Sequence, residues 1–201
     1  MVNQKTIYVV MPASVKTGGT ELGHQLYAFL KKRSTIEVVM AYIGVKDNIL
    51  PISPEFKCYV ESWKRFEEVP DNENTIIILP EIYPDLILKF DKAKIVFWWM
   101  SVDNYLNRTS IMRFIKAHTE GVPHPLHFVY NCLRAVQQLL SGSFRKARKA
   151  IYRVKLHLYQ SEYAREFLVE KGLKNILPLS DYINDTYFGE VYERGERNDY
   201  V

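Results

Sequence analysis

Residues 6–43, TIYVVMPASVKTGGTELGHQLYAFLKKRSTIEVVMAYI, decide the fold. TIYVVM (Thr6 to Met11) is a nearly unbroken apolar, β-branched run, the pattern of a strand covered on both faces. Pro12 to Gly19 is a loop ending in two adjacent glycines. From Thr20 to Lys32, Leu22, Leu26, Phe29 and Leu30 recur at helical spacing, which predicts a helix. IEVVMAYI (Ile36 to Ile43) is a second buried strand. Strand, loop, helix and strand within so short a span make a βαβ unit, and hence a parallel sheet.

Working outward, Phe56 to Val60 reads as a short strand and TIIIL (Thr75 to Leu79) as a longer one. Pro80-Glu81-Ile82-Tyr83-Pro84 ends it, with Pro84 suited to the first turn of a short helix. IVFWWM (Ile95 to Met100) is the next strand, and Asn107 to His118 a helix through Ile111, Phe114 and Ile115. Gly121 to Pro125 breaks the chain. Asn131 to Leu140 is helical, Ser141-Gly142-Ser143 interrupts, and a basic helix runs on to Tyr152. Leu156 to Gln160 is a strand. Ser161 caps a helix to Lys171, Gly172 ends it, and Ile176 to Leu179 is the last strand. The whole predicts an α/β class, a doubly wound, mostly parallel Rossmann-like sheet with helices on both faces.

The bulk composition narrows the function classes. With 47% apolar residues, 10 Phe, 14 Tyr and 3 Trp in 201 residues, the chain has ample material for a core. No run approaches the ~18 apolar residues of a spanning helix, and the start lacks a signal-peptide apolar region. Cys58 and Cys132 alone form neither a disulfide framework nor a metal-ligand spacing, which points to a reduced, cytoplasmic setting. The net charge is +4, but Arg134, Arg145, Lys146, Arg148, Lys149, Arg153 and Lys155 fall in a stretch with no acid. Such a block serves as a solvated face or meets a phosphorylated ligand or anionic lipid. Nucleic acid is disfavoured, since the aromatics are not interleaved as in RNA-binding modules.

Gly18-Gly19 at a helix start leaves room for close approach of a ligand, and the free amides there favour an anion. The same pair also suits a plain tight turn. The spacing of Gly18, Gly19 and Gly23 is not the dinucleotide fingerprint, and no P-loop occurs. Glu21 suits the helix dipole but repels phosphate.

VKTGGTELGHQLYAFLKK (Val15 to Lys32) resembles the opening of family 4 glycosyltransferases of the GT-B fold, with Gly18, Gly19, Glu21, Gln25, Leu26 and Leu30 in the matching places. HLYQSEYAREFLVEKGLKNILPLSDYINDTYF (His157 to Phe188) resembles the last βαβ unit of the same domain. The resemblance implies an acceptor-side domain over residues 1–188 and a connector over 189–201, leading to a donor-binding domain with a glutamate pair. It implies sugar transfer from a nucleotide-sugar co-substrate, with no further cofactor, to a saccharide or lipid-linked acceptor, usually with retention. Cell-surface polysaccharide synthesis at the inner face of the plasma membrane is the implied setting. Gly18 and Gly19 would face the donor diphosphate. Relatives often rest on membranes, so a basic helix with Phe144, Ile151 and Tyr152 is expected to meet anionic lipid.

Catalytic candidates belong at the carboxyl ends of the strands. Asp103, in the loop after IVFWWM where relatives keep His or Asp, is the candidate to take a proton from an acceptor hydroxyl; its alternative is a helix cap. Glu81, Asn104 and Tyr105 are candidate acceptor contacts, and Glu81 suits equally a cap on the helix begun by Pro84. Trp98 and Trp99 offer sugar-stacking faces, although strand alternation sends one to the core. His24 reads as a packing residue. His118, His124 and His127 flank the Pro-rich break without an acidic or thiolate companion, so no metal is assigned. Two other classes compete. A dinucleotide-dependent oxidoreductase or epimerase needs an acid at the end of strand two, where Tyr42-Ile43-Gly44 stands. A non-catalytic Rossmann-like binding module of the response-regulator kind needs paired acids after strand one, where Met11-Pro12-Ala13 stands.

Overall fold

Side chains of β1 (Thr6–Pro12) alternate between two cores, Tyr8 and Val10 entering one and Val9 and Met11 the other. Both faces are therefore covered, which is why the strand reads as a continuous apolar run. The computed structural model describes residues 4–119 and 125–179. The expected connector over 189–201, residues 180–188 before it, and His124 lie outside the described residues.

After β1 come α1 (Gly18–Arg33) and β2 (Glu37–Ile43). Thr17 caps α1, its hydroxyl accepting from the Thr20 amide while the Thr20 hydroxyl accepts from the Thr17 amide. Lys31, Lys32 and Arg33 end the helix and suit its negative pole. The edge strand β3 (Trp63–Arg65) follows, then β4 (Thr75–Pro80) and β5 (Lys94–Trp99). Next are α2 (Val102–Thr109), α3 (Ile111–Thr119), α4 (Pro125–Leu140), α5 (Ser143–Ala150), β6 (Leu156–Tyr159), α6 (Glu162–Glu170) and β7 (Ile176–Pro178). The seven strands lie in the order β3-β2-β1-β4-β5-β6-β7, and every pair is parallel. The expected doubly wound fold is present, and the sheet is wholly parallel.

Several elements differ from their sequence expectation. Phe56 to Val60 is no strand; Pro54–Tyr59 forms a 3-10 helix that buries Phe56 against the His24 ring, 4.5 Å between centroids. Pro54 opens that turn, as its fixed φ favours. The expected helix over 107–118 is two helices, parted at Ser110, whose backbone is extended (φ −121°, ψ 127°). The helix expected from Asn131 starts at Pro125. The basic helix ends at Ala150, with a 3-10 turn over Ile151–Arg153. Its Phe144 and Ile151 are buried and cannot meet lipid, whereas Tyr152 is exposed. Ser161 caps α6 and Gly172 takes a positive φ after it, as read.

Asp71 fastens the segment entering β4 to the segment entering β5. Its carboxylate accepts from the amides of Asp91, Lys92 and Ala93 at 3.0, 2.8 and 2.8 Å, which holds its pKa below the usual carboxylate range. A depressed pKa contributes stability above the unfolded value and loses it as pH falls. Asp71→Ala is expected to lower the melting temperature at pH 7, with the gap to wild type closing under acid. A gap that persists unchanged at pH 3 by thermal melting contradicts this.

Candidate functional site

The chain crosses from one side of the sheet to the other between β1 and β4, and open parallel sheets hold ligands outside the strand tips at that point. A cleft of about 410 Å³ opens there. Its floor is Met11 and Pro12 from β1, Pro80 and Glu81 from the end of β4, and Met100 after β5. One wall is the start of α1, with Thr17, Gly19 and Thr20. The facing wall is α2 and α3, with Asn104, Asn107, Arg108 and His118.

Neither Gly18 nor Gly19 has a positive φ, so a tight turn does not require them. A Cβ on Gly18 would meet nothing within 4 Å, and on Gly19 its nearest contacts would be Met100 Sδ at 3.5 Å, Met100 Cε at 3.8 Å and Thr17 Oγ1 at 4.0 Å. Gly19 keeps the mouth open toward the α1 amides, whereas Gly18 is not among the residues that line it. As the first two helical residues they have no intrahelical acceptor, and their amides make no hydrogen bond to the described residues. Ser14, in the loop before them, is held in a left-handed conformation (φ 57°), its amide donating to the Pro51 carbonyl at 2.7 Å.

Glu81 is the buried acid of the cleft, 1% exposed. One carboxylate oxygen accepts from the Met100 amide at 3.3 Å, the other from Asn104 Nδ2 at 3.2 Å. Burial pushes its pKa up to about 7, against the downward pull of those donors. Both protonation states are thus accessible near neutral pH, as proton transfer requires. Arg108 supplies the cleft with a cation, and its field also bears on the Tyr83 hydroxyl.

The remaining candidates separate. Ser101, not Asp103, caps α2 by accepting from the Asn104 amide. That start turns Val102, Tyr105 and Thr109 into the core and Asn104, Asn107 and Arg108 toward the cleft. Asp103 is left on the outside, exposed and ion-paired to Arg113, and does not line the cleft. Tyr105 is 3% exposed, its ring 4.8 Å from Trp99 and 6.0 Å from Phe167, so it is a core residue and no acceptor contact. Trp98 and Trp99 are both buried, one in each core, and neither offers a stacking face. Trp99 Nε1 donates to His157 Nδ1 at 3.0 Å. His24 is a packing residue, bonded to the Thr20 carbonyl and the Tyr42 hydroxyl. His118 and His127 each engage a backbone carbonyl, of Phe114 and His118 respectively. Among the described residues no three His, Cys, Asp or Glu side chains gather as a metal site would need.

Asn107 and Arg108 escaped the sequence reading. Counting helical positions from Ser101 as cap places them with Asn104 at i, i+3 and i+4. Compared with protein-family models and with curated proteins, the chain matches none.

Proposed function

We propose that this chain is the acceptor-side half of a GT-B, family 4-like glycosyltransferase. It moves a sugar from a nucleotide-sugar to a saccharide or lipid-linked acceptor, in cytoplasmic polysaccharide synthesis at the membrane. The observation that carries the reading is one open cleft at the topological switch point that joins a helix start with free amides to a buried carboxyl. The amides of Gly18 and Gly19, with Arg108 across the gap, suit the donor diphosphate. Glu81, rather than Asp103, accepts the proton of the acceptor hydroxyl as that oxygen bonds the anomeric carbon and the nucleoside diphosphate leaves. Asn104 orients Glu81. In this reading a second Rossmann-like unit holds the nucleotide, so the 201-residue chain by itself turns over negligibly. Robust transfer by the purified chain would refute that division of labour.

The anion seat is tested directly with inorganic pyrophosphate and amide NMR. Shifts are expected at Gly18, Gly19 and Thr20. Gly19→Asp should abolish them while leaving the melting temperature equal or higher, because a carboxylate in the first turn favours the helix yet repels the anion. Shifts confined to the basic residues of α5, or unaltered by Gly19→Asp, would count against the seat. A sugar-binding module without catalysis would keep these shifts yet give no transfer when the chain is joined to a donor-binding domain.

A further inference from the structure

Val129, Leu133, Val136 and Leu140 of α4 recur at alternating four- and three-residue spacing and are 51–83% exposed. The opposite face of the helix is already used: Asn131 and Ala135 are buried, and Ala135 packs with Phe114 and Phe144. That alternating spacing is the seam along which one helix lies against another, each side chain entering a hole on the facing helix.

The flanks of the seam are uncharged. Cys132 and Leu139 stand on one side and Tyr130 and Gln137 on the other, so nothing there repels an identical helix or selects a charged one. Arg134 is the single Lys or Arg of α4, and its guanidinium lies over the Phe114 and Tyr130 rings, 5.6 and 5.7 Å from their centroids. A helix built to lie on anionic lipid carries Lys and Arg along its polar face, and α4 does not. Area points the same way. Counting Leu126 and Phe128, α4 exposes eight large apolar side chains. At about 100 Å² each, they come near the ~800 Å² per partner that a stable pair buries.

Charge also sets the orientation. Helix α5 starts at Ser143, just past the carboxyl end of α4, and its Arg145, Lys146, Arg148 and Lys149 are exposed and without an ion pair among the described residues. A parallel pair would crowd both cationic helices at one end, which like charges oppose. An antiparallel pair sets them at opposite ends of α4, whose 16 residues span about 24 Å.

We propose that α4 pairs with α4 of a second copy of this chain, antiparallel about a two-fold axis that passes between Leu133 and Val136. Leu133 then packs on Val136 of the second copy, and Val129 on Leu140 of the second copy. The ridge is thus complementary to itself, as a two-fold interface requires. The inference rests on this surface alone and stands whichever reaction the cleft serves.

Sedimentation equilibrium of the purified chain tests the pairing. A dimer is expected at micromolar concentration. Leu133→Gln with Val136→Gln should weaken it at least about 100-fold, since each change counts twice in a symmetric pair. Both replaced residues are exposed, so at a dilution where wild type is monomeric the melting temperatures should agree. The orientation is read with a short bismaleimide in chains that carry Cys58→Ser and Cys132→Ser. An equal mixture of Val129→Cys and Leu140→Cys chains should crosslink. Val129→Cys alone should not, because its two copies lie roughly 16 Å apart along the axis. Crosslinking of Val129→Cys alone, no crosslinking of the mixture, or a dimer that the double variant leaves intact overturns the proposal. So does a chain still monomeric at about 100 μM, and if that monomer floats with phosphatidylglycerol vesicles the ridge belongs to lipid instead.

Discussion

Glu81→Gln is expected to gain stability relative to wild type as pH rises, by about 3 kcal/mol between pH 4.5 and 8. The sign follows from the raised pKa. Folded Glu81 titrates at about 7 and an ordinary glutamate at 4.5, so across that window the folded chain holds a proton that the unfolded chain releases. Stability carried by that proton is fully present below 4.5 and is lost as pH climbs through 7. Glutamine has no such loss. His157 works in the other direction: burial pulls its pKa down to about 4, and its Nδ1 accepts from Trp99. Its contribution is full above the ordinary value of 6.5 and is lost as pH falls toward 4. In the wild type the two slopes oppose each other; in Glu81→Gln the histidine slope is no longer opposed by Glu81, and the variant becomes the more acid-sensitive protein. Urea unfolding across pH measures this, and parallel curves for the two proteins would refute it. A buried acid that costs stability at neutral pH, placed at the floor of a cleft, is what a group kept for chemistry looks like.

Gly23→Val is expected to lower stability by about 1–3 kcal/mol, or a melting temperature roughly 2–12 °C lower. A Cβ at Gly23 would stand 2.2 Å from Met11 Cε, 2.5 Å from its Sδ and 2.8 Å from its Cγ. Met11 is 1% exposed at the end of β1 and borders the cleft, so the cost is set by how far its flexible side chain can turn out of the way. A helix-interior glycine costs ~1 kcal/mol against alanine; here it lets α1 sit directly on the strand. Gly23→Ala, which adds helix propensity while introducing the clash, should be the milder of the pair. Adding Met11→Ala to Gly23→Val should recover part of the loss, although Met11→Ala alone costs about 2–5 kcal/mol. Strict additivity of the two changes, or a wild-type melting point for Gly23→Val, would show that the contact is relaxed cheaply. Because Gly18 and Gly19 open the same helix, pyrophosphate shifts should weaken along with stability.

The central strands were legible because a strand covered on both faces must be apolar at nearly every position, as in Thr6 to Met11 and Thr75 to Leu79. Trp63–Arg65 was not, being three residues at the sheet edge with Trp63 and Lys64 exposed. The break at Ser110 was hidden because Ile111, Phe114 and Ile115, the apolar positions that announce a helix, all lie beyond it. That one boundary also misplaced the catalytic candidate. Starting the helix at Asn107 leaves Asp103 in a loop near the strand tip, whereas starting it after Ser101 fixes Asp103 outward and Asn104 inward. The tryptophan pair erred for the reverse reason: alternation separates Trp98 from Trp99, yet with both faces covered each side is interior. Glu81 could be located as a strand-end acid, but its burial depends on α2 closing over it through Asn104.

The carbonyl of His118 is a rivet between two surfaces that otherwise have separate business. It accepts from His127 Nε2 and from Asn131 Nδ2, each at 2.9 Å, and both donors belong to α4. Its own ring is stacked on Phe114, and the residue itself borders the crevice. Helix α4 is thereby tied to the wall of the crevice by two hydrogen bonds that meet at one backbone oxygen.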